Sequence, residues 1–509
     1  MLRAHSSEES LLMIRIALGA VLTFFCYHSG AFAQSTAPDL VLEGKVAGAQ
    51  NKTYLEVPFD VPREVYRISV DFSYTGKERK TTLDVGIADP ERFRGNSGGN
   101  KTHFTISETD ATPSYLPGAI PAGKWRLLIS VPNIRAAEES EYRAEVRFNS
   151  NLEDASFASA PLTISTRWYR GDLHMHTANS DGNCASQSGK RVPCPLFLTA
   201  QAAASRGLDF IAITDHNTES HYASMRELQP WFDRLLLIPG REITTFWGHF
   251  NVFGITDYVD YRAVAHDGRD VNAIVREVRD RGGIASVNHA DAPGGEVCMG
   301  CAWEPPEPVD MSLFTGVEAI NGANLLSSAD FWDRQLAKGL KLTAIGGSDN
   351  HNALIPEGGP SAIGRPTTVV EASELSVPAI LEGIRRGRVF VDLTSSHDKV
   401  IDLEARDTAI AGSDHGKWTS MGDTLNAASG DSISFRIHLS ACQHSQVHLL
   451  LDGRESPGLL PQAAPLGNES LGFSWTSDGR YHWLRCEVRD EKGSLMLLSN
   501  PIYINLASH

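Results

Sequence analysis

Cationic charge is scarce in this chain. Its 509 residues contain 46 lysines and arginines against 62 aspartates and glutamates, which gives a formal net charge of −16. This balance argues against a general affinity for nucleic acid or anionic membranes, which bind positively charged surfaces. The hydrophobic share of 41% and the charged share of 21% are typical of a globular protein with a full core. We therefore expect a small-molecule substrate and no nucleic-acid partner, and the composition leaves the oligomeric state open.

Long apolar runs are absent after the first 33 residues. Met13-Ile14-Arg15 leads into an apolar run at 16–27, and Ala31-Phe32-Ala33 has the small-x-small pattern of a cleavage site. This arrangement predicts a secretory signal peptide over residues 1–33 and a periplasmic or secreted protein. The alternative is an uncleaved anchor, although the run is short for a membrane span. No later segment is long and apolar enough to cross a bilayer.

Cysteine is also rare, with seven residues in the whole chain. Cys26 lies in the predicted signal peptide, and the six others form an even set that suits an oxidising compartment. Cys442 and Cys486 fall in one small β region, so we expect them to pair with each other.

The four remaining cysteines are Cys184, Cys194, Cys298 and Cys301. Cys298 and Cys301 form a CxxC motif, but the second CxxC that a zinc ribbon would need is missing. A disulfide within this motif and a bridge to the segment of Cys184 and Cys194 are both open.

Internal repeats are absent, and the secondary-structure pattern changes twice along the chain. Residues 38–165 contain short alternating or apolar segments between Gly, Pro and Asn breaks, which predicts a β-sandwich. Short apolar runs then alternate with helical stretches over 168–392, which predicts an α/β fold with a parallel sheet covered on both faces, or a closed barrel. Residues 393–509 alternate again and suit one Ig-like β-sandwich.

The elements of the middle region can be placed from their patterns. We predict helices at 196–206, 271–281, 329–338 and 377–386, and apolar strands at 210–213, 235–238, 284–287, 317–320 and 342–345.

Histidines and acids follow these apolar runs. His174 and His176 form a His-x-His pair, and alternate residues of an extended segment point to one side. Asp215-His216 falls just past the strand at 210–213, and three further runs are also followed by a histidine or an acid. The carboxyl ends of parallel barrel strands meet at one rim, where barrel enzymes build their sites. The series therefore predicts a bound metal.

The candidate ligands are six of the chain's 18 histidines and three carboxylates, which are more than one metal ion can use. Glu242 has the two oxygens needed to bridge a pair of ions. Mixed imidazole and carboxylate ligands favour zinc, manganese or iron over calcium or magnesium. The candidates are His174, His176, Asp181, His216, Glu242, His249, His289, Asp349 and His351.

The segments Gly-Asp-Leu-His-x-His-Thr at 171–177 and Thr-Asp-His-Asn-Thr at 214–218 resemble motifs of the PHP (polymerase and histidinol phosphatase) superfamily of metal-dependent hydrolases. They look most like its carbaryl-hydrolase-like branch, and the resemblance covers residues 168–392. It implies a distorted seven-stranded β/α (TIM-like) barrel with two or three divalent ions at its rim. Carried over position by position, it implies the same nine ligands.

Further residues are candidates for supporting roles. Asp172 and Asp215 are expected to orient ligand histidines rather than bind metal. His221 is either a general acid or substrate contact, or a loop histidine without a role. Arg241 is either an anion contact or half of a solvated salt bridge.

Glu318 and Asn321 also end a predicted strand, and a role for them in the site is open. Two rim loops at 183–195 and 290–308 are expected to carry the pocket walls, the second as a disulfide-held lid.

Three functions are compatible with this sequence. The first is an exported phosphoesterase in which the metals activate water. The second uses the same metals to hydrolyse a carbamate, carboxyl ester or amide. The third is a surface binding module whose β-sandwiches hold carbohydrate or protein, and the complete ligand set argues against it.

Overall fold

The computed structural model of the protein describes residues 37–99, 101–149, 156–263, 269–407, 418–459 and 469–507. The predicted signal peptide and Cys26 lie outside the described residues. Those residues form a mixed α/β fold that is rich in strands and contains five α-helices. In these ranges, no helix is long and apolar enough to span a membrane.

The amino-terminal region consists of strands. They are β1 (Leu40–Ala47), β2 (Tyr54–Val61), β3 (Arg67–Tyr74), β4 (Thr82–Ala88), β5 (Phe93–Asn96), β6 (His103–Ser107), β7 (Gly123–Asn133) and β8 (Glu139–Phe148). One antiparallel sheet has the order β1-β8-β3-β6 and the other β2-β7-β4-β5. Alternate side chains of both sheets, such as Val70 and Leu127, pack into one shared hydrophobic core.

The middle region alternates strands and helices. Its elements are β9 (Arg167–Asp172), β10 (Asn183–Ala185), β11 (Arg191–Pro193), α1 (Leu196–Ser205), β12 (Phe210–Ile213), α2 (Tyr222–Leu228), β13 (Leu236–Thr245), β14 (Gly248–Phe253), α3 (Val271–Asp280), β15 (Ile284–Val287), β16 (Gly316–Asn321), β17 (Leu326–Ser327), α4 (Ala329–Leu336), β18 (Thr343–Gly347), β19 (Thr367–Ala372), α5 (Val377–Arg385) and β20 (Val389–Asp392).

Strands β9, β12, β13, β14, β15, β16 and β18 are hydrogen-bonded in that order. A parallel bridge between Met175 and Asn350 then connects the segment after β18 to the segment after β9. Strand β14 departs from the expected parallel arrangement, because it runs antiparallel to both of its neighbours. The cause is local: Phe246 and Trp247 form a tight connection from β13 to β14, with no helix between the two strands.

The helices begin and end where their sequences provide the signals. The Asp270 carboxylate accepts a hydrogen bond from the amide of Ala273 and caps α3, and Ser376 caps α5 in the same way. Apolar residues at helical spacing on α3, such as Ile274 and Val278, are buried against the sheet. The four predicted helices are confirmed within two residues at each end. Helix α2 has only seven residues, too few to give a periodic pattern.

The carboxy-terminal region is again made of strands. They are β21 (Val400–Asp407), β22 (Thr419–Ser420), β23 (Thr424–Leu425), β24 (Ser432–Ser440), β25 (Ser445–Leu451), β26 (Arg454–Glu455), β27 (Glu469–Thr476), β28 (His482–Asp490), β29 (Leu495–Ser499) and β30 (Ile502–Ile504). One sheet has the order β22-β21-β24-β27. The other is continuous with the middle region, because β20 pairs with β29.

The predicted disulfide between Cys442 and Cys486 is wrong, since both residues are buried free thiols. The Cys442 Sγ faces the carbonyl oxygen of Ser440, and the Cys486 Sγ faces that of Glu487. Burial raises the pKa of the Cys442 thiol to about 11. The two side chains therefore pack as small apolar groups in the core of this region.

Candidate metal centre

The His-x-His pair lies just past the end of β9, where the chain leaves the sheet. Leu173 and Met175 are fully buried in apolar clusters, which sends His174 and His176 to the opposite side. Both imidazoles are buried, and their ring centres are 5.2 Å apart. Strand alternation therefore brings two ligand-type side chains into one interior space.

Glu242, near the middle of β13, is the centre of the site. Its Oε1 lies 3.4 Å from His174 Nε2, 3.3 Å from His249 Nδ1 and 3.4 Å from His289 Nε2. Its Oε2 lies 3.5 Å from His176 Nε2 and 2.9 Å from His216 Nδ1.

This carboxylate is buried, and its two oxygens face different imidazoles. Such an arrangement suits a bridge between two cations.

Asp349 supplies a second carboxylate from the segment after β18. Its Oδ1 lies 3.2 Å from His176 Nε2 and 3.4 Å from His174 Nε2. Asp349 and His289 have φ angles of +50° and +27°. Positive φ is uncommon for residues other than glycine, and strained residues of this kind cluster at functional sites.

Asp181 and His351 form the outer end of the cluster. The Asp181 Oδ1 lies 3.3 Å from His351 Nε2 and 3.7 Å from His216 Nε2. The Asp181 side chain is 59% exposed, so the cluster is open to solvent at this end.

Three groups of side chains in the described residues have ligand atoms within 4.8 Å of one another. They are His176, Asp181, His216 and His351; His174, Glu242 and His289; and His174, His176 and Asp349. His249 belongs to none of the three groups but contacts Glu242. The structure thus brings all nine candidate ligands into one cluster.

The donor atoms of this cluster fit metal ions. Among the described residues, four buried atoms of this cluster have no hydrogen-bond partner: His174 Nε2, His176 Nδ1, His249 Nε2 and Glu242 Oε2. Buried polar atoms without partners are costly, and imidazole nitrogens and carboxylate oxygens are the ligands that zinc, manganese and iron take.

Two carboxylates of the cluster also favour bound cations. Burial raises the pKa of Glu242 and Asp349, but the surrounding imidazoles outweigh burial and hold both values well below the ordinary range. Burial lowers the pKa of His176 to about 4. For His174, the carboxylates outweigh the effect of burial and raise the pKa. At neutral pH the two acids are ionised and His176 is neutral, and these are the forms that bind metal. The raised pKa of His174 favours its protonated form, whose proton a metal ion would displace.

Polar side chains hold the candidate ligands in place. Glu318 Oε1 lies 2.8 Å from His174 Nδ1, and its Oε2 accepts a hydrogen bond from the His289 amide. Asn321 donates to both Glu318 and Asp349. The two residues for which the sequence left a role open therefore contact the cluster directly.

Sequence reasoning missed two further contacts. The Thr244 hydroxyl lies 2.6 Å from His216 Nδ1, and Asn288 donates to Glu242 Oε1 over 2.8 Å. Thr244 is two residues after Glu242 on β13 and shares its face, which is a signal that the sequence contains.

Asp172 and Asp215 form hydrogen bonds to the chain around the ligands. Asp215 Oδ2 also lies 3.7 Å from Nδ1 of His221, which is not a candidate ligand. Asp172 accepts hydrogen bonds from the amides of His174, Ser348 and Gly364. Asp215 accepts from the amide and hydroxyl of Thr177 and from the Ser180 hydroxyl. Both carboxylates thereby fix the backbone of the segments that carry the site.

The structure does not bring His221 and Arg241 to the cluster. His221 is fully buried, and its Nε2 lies 2.9 Å from the carbonyl oxygen of Gly240. Arg241 points away from Glu242, its neighbour on β13, and pairs with Glu219 while donating to the carbonyl oxygen of Asp257. Both side chains support the middle of β13 from outside the site.

The two rim loops each contain their own disulfide. Cys184 pairs with Cys194, and Cys298 pairs with Cys301, so the local alternative holds and no bridge joins the two loops. The second loop touches the cluster, because the carbonyl oxygen of Cys301 lies 3.3 Å from His289 Nδ1.

Comparisons with known proteins give little beyond this geometry. No protein-family model matches the chain, and no curated protein matches it. Among solved structures, the chain is similar to a two-domain protein containing a predicted PHP-like metal-dependent phosphoesterase from Bacteroides vulgatus. The identity is 18%, the match covers 66% of this chain and 96% of that one, and the TM-score is 0.37. A similarity at this level does not establish a function, so the functional conclusion depends on the cluster itself.

Proposed function

We propose that this protein is a metal-dependent hydrolase and, more narrowly, a phosphoesterase with two or three divalent ions of zinc, manganese or iron. The observation that carries the proposal is Glu242, whose two oxygens lie within 3.5 Å of five imidazole nitrogens. A carboxylate placed in this way would hold two cations close together. Paired ions are suited to phosphoryl transfer, because they stabilise both the attacking and the leaving oxygen.

The nine clustered residues would hold the ions, with His174 and His176 shared between groups. When bound, divalent ions lower the pKa of a coordinated water and polarise the bond to be cut. The chain keeps the ligand rings oriented through Glu318 and Thr244, which contact the Nδ1 atoms of His174 and His216. The exposed end at Asp181 admits the substrate.

We also infer a seven-stranded β/α barrel over 168–392, between β-sandwiches at 38–165 and 393–509. The hydrogen-bonded order of β9, β12, β13, β14, β15, β16 and β18 supports the barrel, together with the bridge from Met175 to Asn350. The hydrophobic core shared by two four-stranded sheets supports the first sandwich.

An extracytoplasmic location belongs to the same proposal. Two disulfides in loops beside the site support it, since the cytoplasm keeps thiols reduced. We expect cell fractionation to find the protein, with both disulfides formed, outside the cytoplasm. Recovery of reduced protein from the cytoplasm would contradict this part.

The test is a substrate panel with metal analysis of the purified protein. We expect two or three zinc, manganese or iron ions per chain and hydrolysis of phosphate mono- or diesters that a chelator abolishes. A His174→Ala/His176→Ala variant should lose metal and activity together. A matched His438→Ala/His444→Ala variant changes two histidines of the carboxy-terminal region and should keep both.

The panel also contains carbamates, carboxyl esters and amides, so that it separates the two hydrolase hypotheses. Hydrolysis of these substrates alone would replace the phosphoesterase assignment and leave the metal site intact. Full activity of the His174→Ala/His176→Ala variant would overturn the enzyme proposal.

A further inference from the structure

Three large apolar side chains are exposed beside the metal cluster. Phe246, Val297 and Met299 are 85%, 79% and 84% exposed, and we call these three residues the apolar lip. Single exposed apolar residues are common on protein surfaces, but a group at the edge of a site indicates a binding surface.

The first part of the lip lies at the tip of the β13–β14 hairpin, and both legs of this hairpin contact the cluster. On one leg, the Thr244 hydroxyl lies 2.6 Å from His216 Nδ1. On the other leg, His249 Nδ1 lies 3.3 Å from Glu242. Phe246 is two residues beyond Thr244, so the chain places an exposed aromatic residue within two positions of a residue that contacts the cluster.

The second part of the lip lies on the loop that begins at His289. The Cys298–Cys301 disulfide encloses Met299, and the carbonyl oxygen of Cys301 lies 3.3 Å from His289 Nδ1. This disulfide restricts the loop next to a candidate ligand. Met299 is therefore presented to solvent by a short, constrained segment.

The two loops are packed on each other. Gly300 has a φ of +83°, and a Cβ atom there would lie 2.6 Å from the carbonyl oxygen of Thr245 and 3.3 Å from the Phe246 Cα. The Glu304 amide donates to the carbonyl oxygen of Trp247. The lip is thus preorganised, which reduces the entropy lost when a ligand binds.

The charges around the cluster restrict the class of ligand that can bind beside the lip. The ion pairs formed by the nine candidate ligands connect them to one another and to Glu318, all of them histidines and acids. Bound cations would therefore supply the positive charge for one anionic group. A polyanionic substrate would need further positive side chains, and the chain as a whole carries a charge of −16.

We propose that the apolar lip binds the organic substituent of the substrate, an ester of a single phosphoryl group with an apolar aryl or alkyl group. This inference rests on the proposed function, because it requires the phosphoryl group to lie on the metal cluster. The lip is then the specificity determinant, and polyphosphates and nucleic acids are excluded as substrates.

The test compares two phosphonates that differ only in the apolar group. Phenylphosphonate and methylphosphonate are titrated into the metal-loaded full-length protein by calorimetry. We expect phenylphosphonate to bind about tenfold more tightly, since apolar groups of this size contribute one to two powers of ten in affinity. A Phe246→Ala/Met299→Ala variant should bind both probes equally, with its metal content and its affinity for methylphosphonate unchanged.

Phe93→Ala is the matched control, because Phe93 is 55% exposed and belongs to the amino-terminal sheets, which contain none of the nine candidate ligands. This variant should keep the tenfold preference. All three substituted side chains are exposed, so we expect each variant to fold normally.

Three other outcomes would overturn or reassign the lip. Equal binding of the two probes by the unsubstituted protein would overturn the lip and leave the proposed function standing. Failure of both probes to bind the metal-loaded protein would overturn the proposed function and the lip together. A dimer that the Phe246→Ala/Met299→Ala variant loses, with the preference for phenylphosphonate retained, would assign the lip to a second copy of the chain.

Discussion

This protein has two buried clusters of charged side chains, and the two differ in how their buried charges are compensated. In the interface cluster of Arg67, Asp110 and Arg226, both carboxylate oxygens of Asp110 accept hydrogen bonds from guanidinium groups. In the metal cluster, Glu242 Oε2 lacks a hydrogen-bond donor within the described residues, and imidazole nitrogens face it. A buried charge must be neutralised, by the protein itself or by a bound ion.

The two clusters also differ in where they lie in the fold. Arg67 of β3 also donates to Thr256, and Arg226 belongs to α2, so the interface cluster joins the amino-terminal sheets to the middle region. The metal cluster lies at strand ends, with one exposed edge. The interface cluster therefore holds two regions of the fold together, whereas the metal cluster combines unpaired ligand-type atoms with an exposed edge, which suits a ligand.

The largest expected effect separates the clusters by function. Glu242→Gln removes the charge that faces five imidazoles, so we expect bound metal to fall and kcat/KM to drop about a thousandfold or more. Metal analysis and steady-state kinetics measure this. Glu455→Gln, at an exposed carboxylate beside His448, is the control and should change neither quantity. A Glu242→Gln protein with full metal content would break the comparison.

The interface cluster should respond in stability instead. Asp110→Asn leaves two buried guanidinium groups without their carboxylate, and we expect the free energy of unfolding to fall by about 3 kcal/mol. Urea unfolding measures this, and metal content should stay unchanged. Asp71→Asn removes an exposed carboxylate paired with Arg147, and this control should cost no more than about 1 kcal/mol.

The same substitution predicts a pH dependence. Burial raises the pKa of Asp110, but Arg226 and Arg67 outweigh burial and hold it well below the ordinary range. A carboxyl with a lowered folded-state pKa stabilises the fold above its unfolded pKa of about 3.9, and this stability is lost as the pH falls towards the folded value. The stability difference between the wild type and Asp110→Asn should therefore be constant from about pH 8 to 5 and shrink below about pH 4. A difference that grows in acid would contradict this assignment.

The smallest effect concerns a residue that supports the metal cluster. Glu318→Gln weakens the contact that orients His174, so we expect metal affinity to fall about 10- to 100-fold while the fold stays intact. Competition with a chelator measures the affinity. Glu404→Gln removes a similar contact to His438 in the carboxy-terminal region. This control should leave the metal affinity unchanged. An unaltered affinity in Glu318→Gln would show that the contact is only structural.

Local patterns predicted the fold where short-range physics decides it. The strands at 210–213 and 284–287 have the predicted bounds, because short apolar runs between polar breaks are buried in the sheet. The hairpin from β13 to β14 broke the expectation of a parallel sheet, although the alternating residues after Gly248 did indicate a strand. Strand direction depends on which segments meet, and a single run does not contain that information.

For the candidate site too, some features follow from the local sequence and others only from tertiary packing. The position of each histidine or acid after an apolar run is a property of the sequence, because chain order alone places it at a strand end. The contacts of Glu318 with His174 and of Asn288 with Glu242 join segments 144 and 46 residues apart, so only the tertiary structure reveals them. The sequence left the roles of His221 and Arg241 open, and packing turned both away from the cluster.

The sequence by itself therefore determined the element types and the supply of ligand-type side chains at strand ends, since both follow from alternation and local apolar runs. The tertiary structure decided which of these side chains converge on Glu242, which cysteines pair, and where apolar groups stay exposed. These outcomes depend on distances between segments far apart in the chain, and those distances are set by packing of the whole fold.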